Sequence, residues 1–463
     1  MCAEIYFEQG KVEEAINELS ILATIDSRNH KALSNLGLLF GEIGQSDKAI
    51  YSLMTAIDIN PEHSDAYINL AQILQEAGRV TEALDIMLKA NKFCLPNSDL
   101  LAILGLIYKK LGRLDLALDH TKAAINLNNN HSKAYYILGT IQRNLGELDE
   151  GRASFQKSLS LNKHEVGSLY ELSMDIQTVE EAQKINQHAI NINSDTLFPR
   201  EKMMINFAKS NCYHKLNEYN NSGIHLKIAN KIKLSIMPSN AETIVKNTEV
   251  YLERKLCASP NKNGGKNRIF IVGLPRCGST LIESILNTNP HIVSLGETPA
   301  LNSILYKVKL FETCKTDLEE LYAEFINEKN TSFRYTVDKN LYNFQYTGVI
   351  AECMPSAKII HCRRNPMDNI LSMYRSNLSF GNNFTSCLED AAKVYISQER
   401  AMAIYKQRHE QNIYTLSYDQ LALNPQKILE DLINWLELEW KNDYLHPEKT
   451  NSIIQTASVV QAR

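Results

Sequence analysis

The sequence predicts a helical array followed by a three-layer α/β domain with a parallel sheet. Two observations carry this. A period of 34 residues runs through the first half of the chain, which marks an array of stacked repeats. In the second half, short β-branched runs alternate with amphipathic stretches, the pattern of parallel strands joined by helices. The length agrees, because 463 residues are too many for a single core.

The period is exact in register. Blocks begin at His30, Ser64, Ser98 and Ser132. The eighth position holds Gly37, Ala71, Gly105 and Gly139, and the twentieth Ala49, Ala83, Ala117 and Gly151. Small residues there let two helices of a hairpin approach closely. The fifteenth position is Gly44, Gly78, Gly112 and Gly146, placed to end the first helix in a left-handed turn. The twenty-seventh is Ala56, Ala90, Ala124 and Ser158. Gly10 and Ala15 fit positions fifteen and twenty of an earlier block that would start before Met1, so the array is expected to open inside a repeat. Residues 166 to 202 read as helical but degenerate, and 203 to 235 as a further hairpin. His63, His120 and His131 are expected to be surface or packing residues.

This pattern resembles the tetratricopeptide repeat (TPR). The expected array covers residues 1–165, with degenerate repeats over 166–258. Such repeats stack into a superhelix whose concave face takes peptide. The resemblance therefore implies a protein or peptide partner, or self-association, with a plain spacer as the other reading.

Ser259 to Asn267, SPNKNGGKN, is polar with Pro and paired Gly, and reads as a linker over 259–267. The second domain is expected over 268–463.

That domain opens with RIFIVGLPRCGSTLIESILN from Arg268 to Asn287. An apolar run ends at Gly273, a turn follows, and Ser279-Thr280 opens an amphipathic helix. The first N–H groups of a helix lack internal partners and carry partial positive charge, and Arg276 adds a full charge, so the loop is built for a phosphate or sulfate. Gly273 and Gly278 have the spacing of the nucleotide P-loop GxxxxGK[ST], but Ser279 stands where that loop has Lys. This counts against an ATPase or GTPase. A kinase or nucleotidase would bind nucleotide without a 3′-phosphate or would require Mg²⁺.

Four further stretches follow. Asn289 to Pro299 holds a short strand that ends at Gly296-Glu297, where ligands sit in α/β sheets. A carboxylate there can take a proton from an acceptor hydroxyl; surface charge is the bland alternative, and His291 is a rival base that precedes the strand. Tyr335 to Asn340 reads as a strand that brings Lys339 to the same rim. Ala357 to Tyr374 is again strand, turn, helix, with Arg364 and Ser372 two helical turns apart. Ile413 to Tyr418 is a fifth strand, and Asn424-Pro425 starts a last helix reaching Leu436. The helical stretches between are 301 to 330 and 385 to 408. Cys277 and Cys362 lack the Arg six positions on that a cysteine phosphatase needs: Glu283 and Asp368 stand there.

Arg276-Cys277-Gly278-Ser279-Thr280 resembles the 5′-phosphosulfate loop of sulfotransferases. Arg364, Pro366, Asp368 and Ser372 meet that family's pattern R-x-P-x-D-x-x-x-S for a 3′-phosphate. The elements around Glu297, Lys339 and Tyr418 are similar to those of tyrosylprotein sulfotransferases. The resemblance implies a P-loop-like sulfotransferase domain using 3′-phosphoadenosine 5′-phosphosulfate (PAPS) and no metal. It implies Glu297 as base, Arg276 and Lys339 as charge stabilisers, and Ser458 near the sulfuryl group. Arg276, Cys277, Gly278, Ser279, Thr280, Arg364, Ser372 and Tyr418 would bind the nucleotide. The implied acceptor is a hydroxyl of a protein Tyr, a glycan or a small alcohol. The family's covering segment runs on past the counterpart of Arg463, so the domain is expected to lack its C-terminal end; a TPR scaffold with an inactive PAPS-binding domain is the alternative.

Composition fits. Net charge is −4, with no basic excess for nucleic acid. No apolar run reaches the length of a membrane span. Nine cysteines are scattered without CxxC pairs, which reads as reduced thiols in a cytoplasmic protein.

Overall fold

The computed structural model describes residues 6, 11–253, 264–308, 317–326, 334–378 and 381–447. Of the linker stretch, 259–263 lie outside these residues. The chain forms two compact units: Met1–Ser239 with Asn377–Ser386, and Asn240–Ser376 with Cys387–Arg463.

In the first unit the helices His30–Glu42, Ser64–Glu76, Ser98–Lys110 and Ser132–Leu145 each begin on the first residue of a 34-residue block. Their hairpin partners are Ser46–Ile59, Val80–Phe93, Leu114–Leu127 and Leu148–Leu161. Gly44, Gly78, Gly112 and Gly146 all have left-handed φ, from 75° to 87°. Small residues permit the close approach within each hairpin: a Cβ on Gly139 would lie 2.6 Å from Phe155 Cε1. Ala49, Ala83 and Ala117 are fully buried. The degenerate region continues the architecture with Val166–Met174, Val179–Asn191, Pro199–Lys215 and Tyr219–Ile236. There Asn217, at φ 61°, takes the turn that glycine makes earlier, a conformation Asn tolerates better than most residues.

The histidines are packing residues. His120 stacks on Tyr108, His63 meets His30 edge-on, and His131 Nδ1 accepts from Ala134 N–H at a helix start.

The unit also contacts itself across the array. Arg200, in the first turn of its helix, donates to Gly41 O at 3.0 Å and pairs with Glu76 at 2.5 Å. Glu42 lies 3.7 Å from the same guanidinium, and burial pushes its carboxyl up to about 7. Lys233 is fully buried and donates to Leu378 O at 2.6 Å, while Asn383 donates to Pro238 O. These bonds tie Leu378 and Asn383 to the array.

The second unit contains a five-stranded sheet in the order β2-β3-β1-β4-β5, every pair parallel. The strands are β1 Arg268–Val272, β2 Ile292–Gly296, β3 Tyr335–Asp338, β4 Lys358–Arg363 and β5 Ile413–Ser417. Alternate residues of a strand face opposite sides. Ile269 and Ile271 of β1 pack in one core with Ile282, Ile285, Leu432 and Ile433, from helices Ser279–Leu286 and Pro425–Trp435. Phe270 faces the other way, edge-on to Tyr322 of helix Leu318–Phe325. Likewise Ile360 and Cys362 of β4 join the first core, while His361 meets Gln398 of helix Leu388–Arg408. Helices thus cover both faces, giving three layers. β1 is central and buried throughout, which accounts for its continuous apolar run.

Candidate active site

All five strands point the same way, so their carboxyl ends form one rim, and each is followed directly by a residue singled out in the sequence. The loop 273–278 follows β1, Glu297 follows β2, Lys339 follows β3, Arg364 follows β4 and Tyr418 follows β5.

The loop after β1 is held in an uncommon backbone. Gly273 and Gly278 have φ of 154° and 95°, and Arg276, a non-glycine, has φ 70°. Left-handed non-glycine residues carry conformational strain that surrounding contacts must hold. Those contacts come from helix Pro366–Tyr374. Asn369, almost fully buried, donates to Pro275 O at 2.8 Å. Arg276 Nε donates to Ser372 Oγ at 3.2 Å, and Arg364 Nη1 lies 3.4 Å from Arg276 O. The two basic motifs, far apart in sequence, therefore meet.

Arg364 is the least satisfied of these groups. Its Nε is buried without a hydrogen-bond partner, and its guanidinium lies 5.1 Å from the Tyr418 ring centroid. Its neighbour Arg363 pairs with Glu399 at 2.7 Å. The helix that carries Ser372 starts under a cap from Asn365 Oδ1 to the N–H groups of Met367 and Asp368. Asp419 accepts from Asn365 N–H at 2.7 Å and so ties the ends of β4 and β5.

Cys277, Ser279 and Thr280 are buried, and Gly278 is the N-cap of helix Ser279–Leu286, with no side-chain cap. The buried thiols of Cys277 and Cys362 hydrogen-bond to each other, which lowers Cys277 and raises Cys362. Gly278 faces Tyr418: a Cβ there would lie 2.4 Å from Tyr418 Cδ2. Gly278→Ala is accordingly expected to destabilise the protein by roughly 1–3 kcal/mol and to displace Tyr418. Denaturant unfolding with tyrosine fluorescence checks this; an unchanged midpoint would show that the loop gives way freely.

At the other side of the rim, Lys339 is almost fully buried. Its Nζ lies 3.0 Å from Glu283 Oε2 and 3.3 Å from Glu297 Oε1. Glu297 is 58% exposed and faces Tyr342, which burial raises with a contribution from Glu297. Behind Lys339, burial pushes Asp338 up to about 7, against bonds from Asn340 N–H and the Tyr322 hydroxyl. Ser458 lies outside the described residues. No group of three or more metal-ligating side chains occurs among the described residues, and no helix among them is long and apolar enough to cross a membrane.

Two contributors went unread in the sequence: Asn369 and Glu283. Asn369 had no signal beyond its place in the motif helix. Glu283 had one, being the only charge in the buried helix STLIESIL.

Both halves of the chain match families of known proteins. Residues 268–442 match the sulfotransferase family model. Residues 44–92, 98–131 and 132–165 match tetratricopeptide-repeat models. An uncharacterized protein of Aquifex aeolicus is 27% identical over 220 residues, 43% of this chain and 29% of that protein. Protein-tyrosine sulfotransferase 1 of Danio rerio is 24% identical over 198 residues, 39% of this chain and 56% of that one. Protein-tyrosine sulfotransferase A of Caenorhabditis elegans is 24% identical over 219 residues, 41% and 56% of the two chains. The chain spans between 29% and 56% of the length of these relatives. It joins tetratricopeptide repeats to a sulfotransferase-family domain.

Proposed function

We propose that the protein is a PAPS-dependent sulfotransferase acting on a hydroxyl acceptor, a protein tyrosine in the first instance. One observation carries this reading. Arg276, Ser372 and Arg364 converge at the carboxyl edge of the sheet, and Arg364 keeps a buried N–H without a partner. A buried donor of this kind is costly unless a ligand satisfies it, and a guanidinium suits a phosphate.

The residues present fit the nucleotide. Arg364 and Ser372 would hold its 3′-phosphate. The helix start at Gly278, with Ser279 and Thr280, would hold the 5′-phosphate, and Tyr418 would lie along the adenosine. Bound there, PAPS supplies a sulfuryl group whose bond to the bridging oxygen breaks as the acceptor oxygen bonds to sulfur, leaving 3′,5′-adenosine bisphosphate (PAP).

The chain's own part is positional and electrostatic. Glu297, exposed on the rim, takes the acceptor proton. Lys339 and Arg276 offset the charge that grows on the bridging oxygen. Ser458 belongs to the reading only through the family pattern. The relatives named protein-tyrosine sulfotransferases favour a tyrosine acceptor, and the repeats favour a protein partner. The scattered cysteines suit a cytoplasmic setting.

Calorimetric titration with PAP, AMP and ATP tests the pocket. PAP is expected to bind far more tightly than AMP, because charge-assisted contacts to a phosphate contribute roughly 1.5–3 kcal/mol each. Equal affinity for PAP and AMP, or binding of ATP that requires Mg²⁺, would turn the reading to another nucleotide enzyme.

A further inference from the structure

Glu283 has no part in the chemistry above, yet it sits at the centre of the bonds that hold that chemistry in place. Its side chain is 13% exposed. One carboxylate oxygen pairs with Lys339 Nζ at 3.0 Å. The other accepts from Ser294 Oγ. Ser294 Oγ in turn accepts from Gly296 N–H at 3.0 Å, and Gly296 O accepts from Lys339 N–H at 2.9 Å. The ring closes through Glu283, Ser294, Gly296 and Lys339, and ties the loop helix to the ends of β2 and β3. Glu297 is the next residue after Gly296.

We infer that Glu283 is a positioning residue for sulfuryl transfer: it fixes the Lys339 ammonium and the Gly296-Glu297 turn, and turnover depends on it while nucleotide binding does not. The inference rests on the sulfotransferase reading. Its physical reason is the fate of charge during a turnover. The Lys339 side chain is 2% exposed, and a buried ammonium needs a fixed counter-charge. Glu297 cannot be that partner throughout. It is exposed, and on taking the acceptor proton it becomes neutral. Glu283 is 13% exposed, makes its bonds to protein groups and takes no part in that proton transfer. Lys339 has three N–H donors. With one directed at each carboxylate, the third is left for the oxygen on which charge develops.

The test is a double-mutant cycle on turnover, measured as PAP release from PAPS with a tyrosine peptide, beside PAP affinity by calorimetry. Glu283→Ala is expected to lower kcat by on the order of 10- to 100-fold, the scale of a misplaced catalytic group. Its PAP dissociation constant stays within about twofold, because the phosphate-binding residues are untouched. Glu283→Gln, which keeps the shape and one acceptor, recovers part of the loss. Lys339→Met loses on the order of 100-fold, and the double variant Glu283→Ala/Lys339→Met loses no more than Lys339→Met alone.

Losses that multiply in the double variant would overturn the positioning role, since Glu283 would then act apart from Lys339. A matching fall in PAP affinity would do the same, since Glu283 would then serve the fold of the loop at large. A wild-type protein that releases no PAP from PAPS overturns the sulfotransferase reading and this inference with it, a result separable from either of the others.

Discussion

Glu297→Ala is expected to lower turnover by on the order of 10²- to 10⁴-fold, the range for losing a general base, with PAP affinity nearly unchanged. Glu297 follows β2, whereas Arg276, Arg364 and Ser372 follow β1 and β4, so the substitution leaves the phosphate contacts intact. It should also leave the fold intact. Lys339 keeps its pair with Glu283 at 3.0 Å, so no buried charge is stranded when the Glu297 carboxylate goes. The rival base is at the wrong end of the strand. His291 precedes β2, and its carbonyl accepts the N–H groups of Arg334 and Tyr335 at the start of β3. A strand rises about 3.3 Å per residue, which puts His291 roughly 16 Å from the rim. His291→Ala should therefore leave turnover near the wild-type level. Wild-type turnover in Glu297→Ala, or collapse in His291→Ala, would reverse the two assignments.

Much of this site was legible because the sequence encodes it locally. The strand-ending positions of Glu297, Lys339 and Arg364 follow from short β-branched runs that stop at polar clusters. The 34-residue period predicts where each first helix of the array begins, because the same small residues must recur wherever two helices touch. What escaped is what depends on partners distant in sequence. Glu283 is eleven residues from Ser294 and much further from Lys339, and periodicity says only that its helix is buried. The Asn217 turn falls inside the hairpin expected over 203 to 235, because a hairpin that lacks the glycine still closes when an Asn takes left-handed φ. Nothing local says that Arg200 will reach Gly41 and Glu76. The bond from Lys233 to Leu378 O is equally silent, since a buried Lys with a carbonyl partner has no sequence signature.

Arg364→Ala carries the second large effect, and it falls on binding. The guanidinium has no carboxylate partner among the described residues, a contact of only 3.4 Å to Arg276 O, a buried Nε without a partner and the Tyr418 ring beside it. It is a charge held in place by stacking and left for an anion. Its removal is expected to weaken PAP binding roughly ten- to 150-fold, for a charge-assisted contact of roughly 1.5–3 kcal/mol. Arg364→Lys should recover little, because an ammonium keeps the charge but loses both the planar fork and the stacking on Tyr418. AMP supplies the internal control. It lacks the 3′-phosphate, so its weaker binding should be nearly the same in the wild type and in Arg364→Ala. If the variant loses PAP and AMP affinity in equal measure, Arg364 acts on the adenosine or the 5′-phosphate instead. The partnerless Nε would then be satisfied by a different part of the nucleotide, and the 3′-phosphate assignment would fall while the phosphate loop after β1 stood.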